Sequence, residues 1–284
     1  MPHRTTRRNF LGTAGIASLG AAVAPSASAR IEPAPWGIKL GIATYTFRNF
    51  ERAQVIEMIK QVQTPWISIK NTEQQLSLKS TAEQLAAARK QFDDAGLTVT
   101  SAGNIDMKAP TIEGLRPVFE YAKAASLPMM VCAPTHDNLK AVETLVKEYN
   151  IRIAIHNHGP EDKHFPTPQS VLDAVRDLDP RCGLCMDVGH SARTGVDVVE
   201  TIAMAGSRLL DVHVKDLAKL SEKDSQCDVG DGAMPFPQIF KQLKKMNYQG
   251  CVNLEYEIHA DNPLPGVQRS FSYMRGVLAG LAAA

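Results

Sequence analysis

The stretch Ile151 to Asp162, I-R-I-A-I-H-N-H-G-P-E-D, decides the fold. Its spaced isoleucines (Ile151, Ile153, Ile155) form a short β-branched run that reads as a buried strand, and Gly159-Pro160 reads as the stop. Side chains alternate along a strand, so His156 and His158 leave on the same side. Glu161 and Asp162 follow at once. Two imidazoles at the C-terminal end of a strand, beside two carboxylates, have the form of a ligand-presenting edge. Alone, the stretch is equally compatible with a surface loop after a core strand. Recurrence of the form is what counts.

Three later strand-like runs end in the same way. The segment Cys182–Asp187 leads into M-D-V-G-H (186–190), Leu209–Val214 into D-V-H-V-K-D (211–216), and Cys251–Ile258 carries L-E-Y-E (254–257). Toward the N-terminus, strand patterns cover Lys39–Phe47, Trp66–Ile69, Leu97–Ala102 and Met129–Ala133. Helix spacing separates them over Glu51–Gln63, Thr81–Ala95, Gly114–Ala125 and Asn138–Tyr149. In the second half it covers Pro168–Leu178, Val196–Ala205, Pro237–Met246 and Leu264–Leu281. Strand-helix units repeating roughly every 30 residues predict an α/β chain folded as a single (β/α)8 TIM barrel. A doubly wound sheet is disfavoured, because no Gly-x-Gly-x-x-Gly turn follows any strand and there is no P-loop.

The 284 residues, 44% of them hydrophobic, suffice for one domain of barrel size. A net charge of +1 without a dense basic block gives no support to a nucleic-acid or membrane-surface role. Residues 1–29 read as a twin-arginine signal peptide. Arg7-Arg8-Asn9-Phe10-Leu11 precedes an apolar Gly/Ala-rich run, and Ala27-Ser28-Ala29 supplies a small-x-small cleavage site. Residues 30–284 are then the barrel domain, exported already folded by the twin-arginine machinery and resident in the periplasm. Cleavage removes three of the 31 Lys and Arg and none of the 30 Asp and Glu, so 28 face 30. No other apolar run reaches the roughly 18–20 residues of a membrane span. Cysteines 132, 182, 185, 227 and 251 are odd in number and mostly inside strand patterns, which predicts free, buried thiols.

In such a barrel the chemistry lies at the C-terminal strand ends. A lone Asp there commonly caps the next helix, and a lone His satisfies a backbone group. Four successive ends carrying His, Asp or Glu are another matter, since these residues are seldom buried unless paired or metal-bound. Mixed imidazole and carboxylate donors suit one divalent ion: Mn, Co, Mg or Zn.

The combination H-N-H-x-x-E (156–161), D-V-G-H (187–190), H-V-K-D (213–216) and L-E-Y-E (254–257) resembles the xylose isomerase-like TIM barrel superfamily. That group comprises sugar isomerases, epimerases and inosose-type dehydratases, along with endonuclease-IV-type repair enzymes. The resemblance implies one metal held by Glu, Asp, His and Glu, carried here onto Glu161, Asp187, His213 and Glu255. Many members have Glu where this chain has His156, which makes His156 the alternative first ligand. Catalysis would fall to Glu255, Glu161 and Lys215. Substrate would be bound by His156, His158, His190, Tyr45 and Lys70, with Arg48 nearby.

The chemistry expected is removal of a proton beside a carbonyl, giving an enediolate. Its outcome is isomerisation or epimerisation of a non-phosphorylated sugar or keto-sugar. A lyase or dehydratase acting on a 3-keto-glycoside or an inosose-like substrate is the alternative. Two other classes compare less well. A repair nuclease would need histidines on the early strand ends, which offer Tyr45, Lys70 and Asn104, and a basic groove. A non-catalytic periplasmic sugar-binding barrel would need neither base nor metal.

Overall fold

The computed structural model describes residues 35–284. The expected signal peptide lies outside the described residues. Eight parallel strands close on themselves in sequence order. They are β1 (Lys39–Ala43), β2 (Trp66–Ile69), β3 (Thr98–Met107), β4 (Met129–Pro134), β5 (Arg152–His156), β6 (Cys182–Asp187), β7 (Leu209–Val214) and β8 (Cys251–Leu254). Closure is made by β8 pairing with β1, Lys39 opposite Cys251 and Ile42 opposite Leu254. The helices between and after them are α1 (Arg52–Val62), α2 (Ala82–Asp94), α3 (Ile112–Ala124), α4 (Leu139–Tyr149), α5 (Pro168–Val175), α6 (Val188–Arg193), α7 (Val198–Ala205), α8 (Phe236–Lys245) and α9 (Leu264–Ala283). This is the expected (β/α)8 barrel. None of these helices is long and apolar enough to cross a membrane.

Local sequence sets the helix starts. Thr81 and Thr167 each form a reciprocal capping box with the residue three positions on, and Pro168 occupies the first turn of α5. Each helix then buries one apolar stripe, such as Val55, Ile56, Ile59 and Val62 of α1, against the outer face of the barrel. Inside the barrel, Met129, Val131, Ala154 and Cys185 form a separate small apolar cluster. Ala154 and Cys185 lie two residues before His156 and Asp187, so all four point inward. The rest of this layer is polar. Ser101 Oγ lies 2.8 Å from Ser68 Oγ, from which it can accept, and donates to Asp211 Oδ2 (3.2 Å), and Asn253 Nδ2 donates to Asp211 Oδ1 (2.8 Å).

Element ends differ from the sequence expectation where a side chain captures backbone. Strand β1 stops at Ala43 and a 3-10 turn follows (Thr44–Phe47), because the Gln75 amide donates to the carbonyls of Thr44 (3.1 Å) and Phe47 (3.0 Å). Strand β8 stops at Leu254, where the Gln226 amide bonds Glu255 O and Glu257 N. Helix α5 ends at Val175 rather than Leu178, since the Arg208 guanidinium takes the carbonyls of Arg176, Leu178 and Asp179. Helix α6 has no counterpart in the expectation. All five cysteines are free, four of them buried, as the sequence reading held.

A cavity of about 690 Å3 opens at the N-terminal mouth of the barrel. Its walls include the first residues of strands, among them Lys39, Trp66, Thr98, Met129 and Arg152. The opposite mouth holds the strand ends that carry the candidate donors.

Candidate metal centre and active site

Four strand ends deliver four buried side chains to one point at the C-terminal mouth. His156 ends β5, Asp187 ends β6, His213 lies near the end of β7 and Glu255 directly follows β8. One donor atom from each lies within 4.8 Å of the other three. His156 Nε2 is 3.2 Å from His213 Nδ1, 3.6 Å from Asp187 Oδ2 and 3.9 Å from Glu255 Oε2; His213 Nδ1 is 3.3 Å from Glu255 Oε2. Asp187 Oδ2 is fully buried, and the cation it faces is the Lys215 ammonium at 3.1 Å. Two imidazoles and two carboxylates converging in this way fit a single divalent ion.

Burial pushes the His156 imidazole down to about 4, so its ring is neutral and able to ligate. Burial alone would raise Asp187 and Glu255. The groups facing them outweigh it, the His190 ring and the Lys215 ammonium for Asp187, His213 and Lys215 for Glu255, and both carboxyls are held well below the usual range. Lys215, itself buried, is held well above its ordinary value by Asp187, Glu255 and Glu257 in spite of desolvation. It is an ammonium and therefore a donor.

Asp187 has two tasks. Its Oδ1 caps α6 by accepting from His190 N (2.8 Å), while Oδ2 faces the cluster. Asn157 fixes its backbone: Asn157 Oδ1 accepts from Asp187 N (3.0 Å), and Asn157 Nδ2 donates to Asp187 O (3.4 Å) and Ser191 Oγ (3.1 Å). Asp216 of the H-V-K-D run turns away from the site. Its carboxylate accepts from the amides of Gly230 (2.9 Å), Gly232 (3.2 Å) and Met234 (3.0 Å) and folds the long loop after β7.

The remaining expected residues divide clearly. Tyr45, Lys70, His158 and His190 line a hollow of about 240 Å3 with His156 and Glu255. Lys70 Nζ donates to Asn104 O (3.1 Å), and its amine is lowered chiefly by burial. His158 Nε2 accepts from Asn104 Nδ2 (2.9 Å). Arg193 Nη1 can only donate, so His190 Nδ1 (3.1 Å away) accepts, and neutral His190 carries its proton on Nε2. Arg48 stays outside this hollow: it stacks on the Tyr45 ring (4.7 Å) and donates to Glu257 O (2.9 Å).

Glu161 is the exception. The structure does not bring it to the cluster. The chain turns back through Asp162 N to Gly159 O (3.0 Å), and the half-exposed Glu161 carboxylate pairs with Arg193 at the outer cleft. His156 stands in the fourth donor position instead. Glu257, which binds Lys215, and Asn157 were not singled out from sequence. The L-E-Y-E run puts two carboxylates at one strand end, which was the available signal for Glu257. Nothing marks a strand-end Asn as a clamp on its neighbour.

Comparison with known proteins bears on this site. The family model described as xylose isomerase-like TIM barrel matches residues 66–277. An inosose dehydratase of Mesomycoplasma hyopneumoniae is 27% identical over 155 residues, which is 47% of this chain and half the length of that dehydratase. Two solved structures share the fold. The 3-keto-D-glucoside 4-epimerase of E. coli has a TM-score of 0.69 at 17% identity, covering 84% of this chain and 98% of its own. A zinc-containing IolI protein has a TM-score of 0.70 at 15% identity, covering 86% and 99%.

Proposed function

The chain belongs to the xylose isomerase-like TIM barrel family, and from that premise we propose that it is a divalent-metal-dependent isomerase or epimerase of a non-phosphorylated sugar or keto-sugar. The observation that carries the reading is the convergence of His156, Asp187, His213 and Glu255 within 4.8 Å. These four residues would hold the ion. Two imidazoles in the set favour Zn2+, Mn2+ or Co2+ over Mg2+. When bound, the ion would supply Lewis-acid stabilisation of negative charge on a substrate carbonyl oxygen.

The chain's own groups do the rest. Glu255, kept ionised by its cationic neighbours, is the base that takes the proton beside the carbonyl. Lys215, kept charged, hydrogen-bonds substrate oxygen and does not abstract. The Nε2–H of His190 and the Lys70 amine orient hydroxyl groups across the hollow that they line. Glu161 is left as a rim residue in this scheme. The dehydratase relative supports a second outcome, loss of a β-substituent from the same intermediate, on a 3-keto-glycoside or inosose-like substrate. We place the enzyme in the periplasm on Arg7-Arg8 and the Ala27-Ser28-Ala29 triplet. Cell fractionation with an Arg7→Lys, Arg8→Lys variant tests that placement.

Incubation of the protein with candidate keto-sugars in D2O, with and without chelator, tests the reaction. Deuterium should enter one carbon, and chelator should stop it. Ligand binding without exchange, undiminished by chelator, would instead identify a sugar-binding barrel.

A further inference from the structure

The ammonium of Lys215 lies on the same oxygen atoms that face the two candidate ligand imidazoles. We propose that Lys215 is a built-in placeholder for the metal: it holds Asp187 and Glu255 while the site is metal-free and retreats to Glu257 when a divalent ion takes those carboxylates. This rests on the metal-dependent reading above and concerns how the site is loaded.

Lys215 Nζ is 3.1 Å from Asp187 Oδ2 and 3.2 Å from Glu255 Oε2, and it also bonds Glu257 Oε1. Asp187 Oδ2 is the atom 3.6 Å from His156 Nε2, and Glu255 Oε2 is the atom 3.3 Å from His213 Nδ1. Lysine and metal therefore claim one pair of oxygens. Two cations at such range in a buried site repel strongly, so the ammonium must give way. Charge balance supplies its destination. Metal-free, the ammonium neutralises part of a set of three carboxylates, two of them buried, where an unpaired charge would be costly. Loaded, the ion would balance Asp187 and Glu255, and Lys215 would balance Glu257.

Room for the movement exists. A hollow of about 270 Å3 adjoins the ammonium, walled by Gly189, His190, Lys215, Leu217 and Glu257 among others. Glu257 is 35% exposed, against 10% for Glu255 and none for Asp187, so the retreat is toward the open cleft. Gly189 keeps the track clear: a Cβ there would meet Lys215 Cγ at 2.4 Å and Cδ at 2.8 Å.

Two measurements on the full chain, stripped with chelator and titrated with Mn2+ or Zn2+, decide the matter. In the first, wild-type protein is pulsed with an amine-acylating reagent and the Lys215 peptide is quantified by mass spectrometry, with exposed Lys219 as internal reference. Lys215 should be protected without metal and acylated about tenfold faster at saturating metal. Metal binding with unchanged labelling overturns the placeholder while leaving the metal reading intact. In the second, Lys215→Met should bind the ion about tenfold more tightly than wild type by calorimetry. Equal or weaker affinity overturns the proposal. If the variant does not fold, the wild-type labelling decides alone. Wild-type protein that binds no divalent ion sinks the metal reading itself, and the placeholder with it.

Discussion

Asp187 caps a helix with one carboxylate oxygen and faces the candidate metal cluster with the other, so the two roles separate by substitution. Asp187→Asn keeps an oxygen for His190 N and removes the charge. It should fold with near wild-type stability and lose divalent-ion affinity by at least about tenfold in calorimetry. Asp187→Ala loses the cap as well and should cost about 1 kcal/mol more in urea denaturation. Glu161→Gln, by contrast, should leave ion affinity within about twofold, since its carboxylate is spent on Arg193; a larger loss would return Glu161 to the centre. Glu255→Gln should abolish deuterium exchange in a protein that remains folded. At this scale the sequence was informative where chemistry repeats and weak where geometry chooses. Strand-end His, Asp and Glu were visible as types. Whether His156 or Glu161 reaches the centre depends on a turn at Gly159 that sends the chain outward.

The elements show the same division. Strand and helix order was legible because hydrophobic period alternates between two and about 3.6 along the chain. Boundaries were less so, because they are set by distant side chains that bond backbone. Gln75 and Gln226 shorten two strands from elsewhere in the sequence, and Arg208 shortens α5. The Arg208 guanidinium donates to four carbonyls, those of Arg176, Leu178, Asp179 and Cys182. Arg208→Ala should therefore destabilise the fold by about 2–4 kcal/mol in urea melts. Arg208→Lys should recover less than half of that, because an ammonium lacks the planar fork. Helix α6 escaped notice because V-G-H-S-A-R is too short to show a period, and its start depends on the Asp187 cap.

For the whole molecule, the polar layer across the barrel makes stability depend on pH. Burial raises the Asp211 carboxyl to about 6, above the roughly 3.9 of an unfolded chain. An acid raised in the folded state contributes stability that is fully present below the unfolded value and is lost as pH climbs through the folded one. Between pH 4 and 7, the stability of metal-free wild type relative to Asp211→Asn should fall by about 3 kcal/mol. Parallel pH profiles for the two proteins would sink this assignment. The barrel as a whole was evident from the sequence; this interior layer was not, since Ser68, Ser101, Asp211 and Asn253 come from four different strands, two from each half of the chain. The hollow at the far mouth has a practical bearing on finding a substrate or inhibitor. At about 690 Å3 it out-sizes each of the smaller hollows beside the histidines, yet no group of the candidate centre lines it. Compound libraries ranked by occupancy alone would gather ligands for that mouth of the barrel, so hits need a counter-screen in which saturating Zn2+ shifts their affinity.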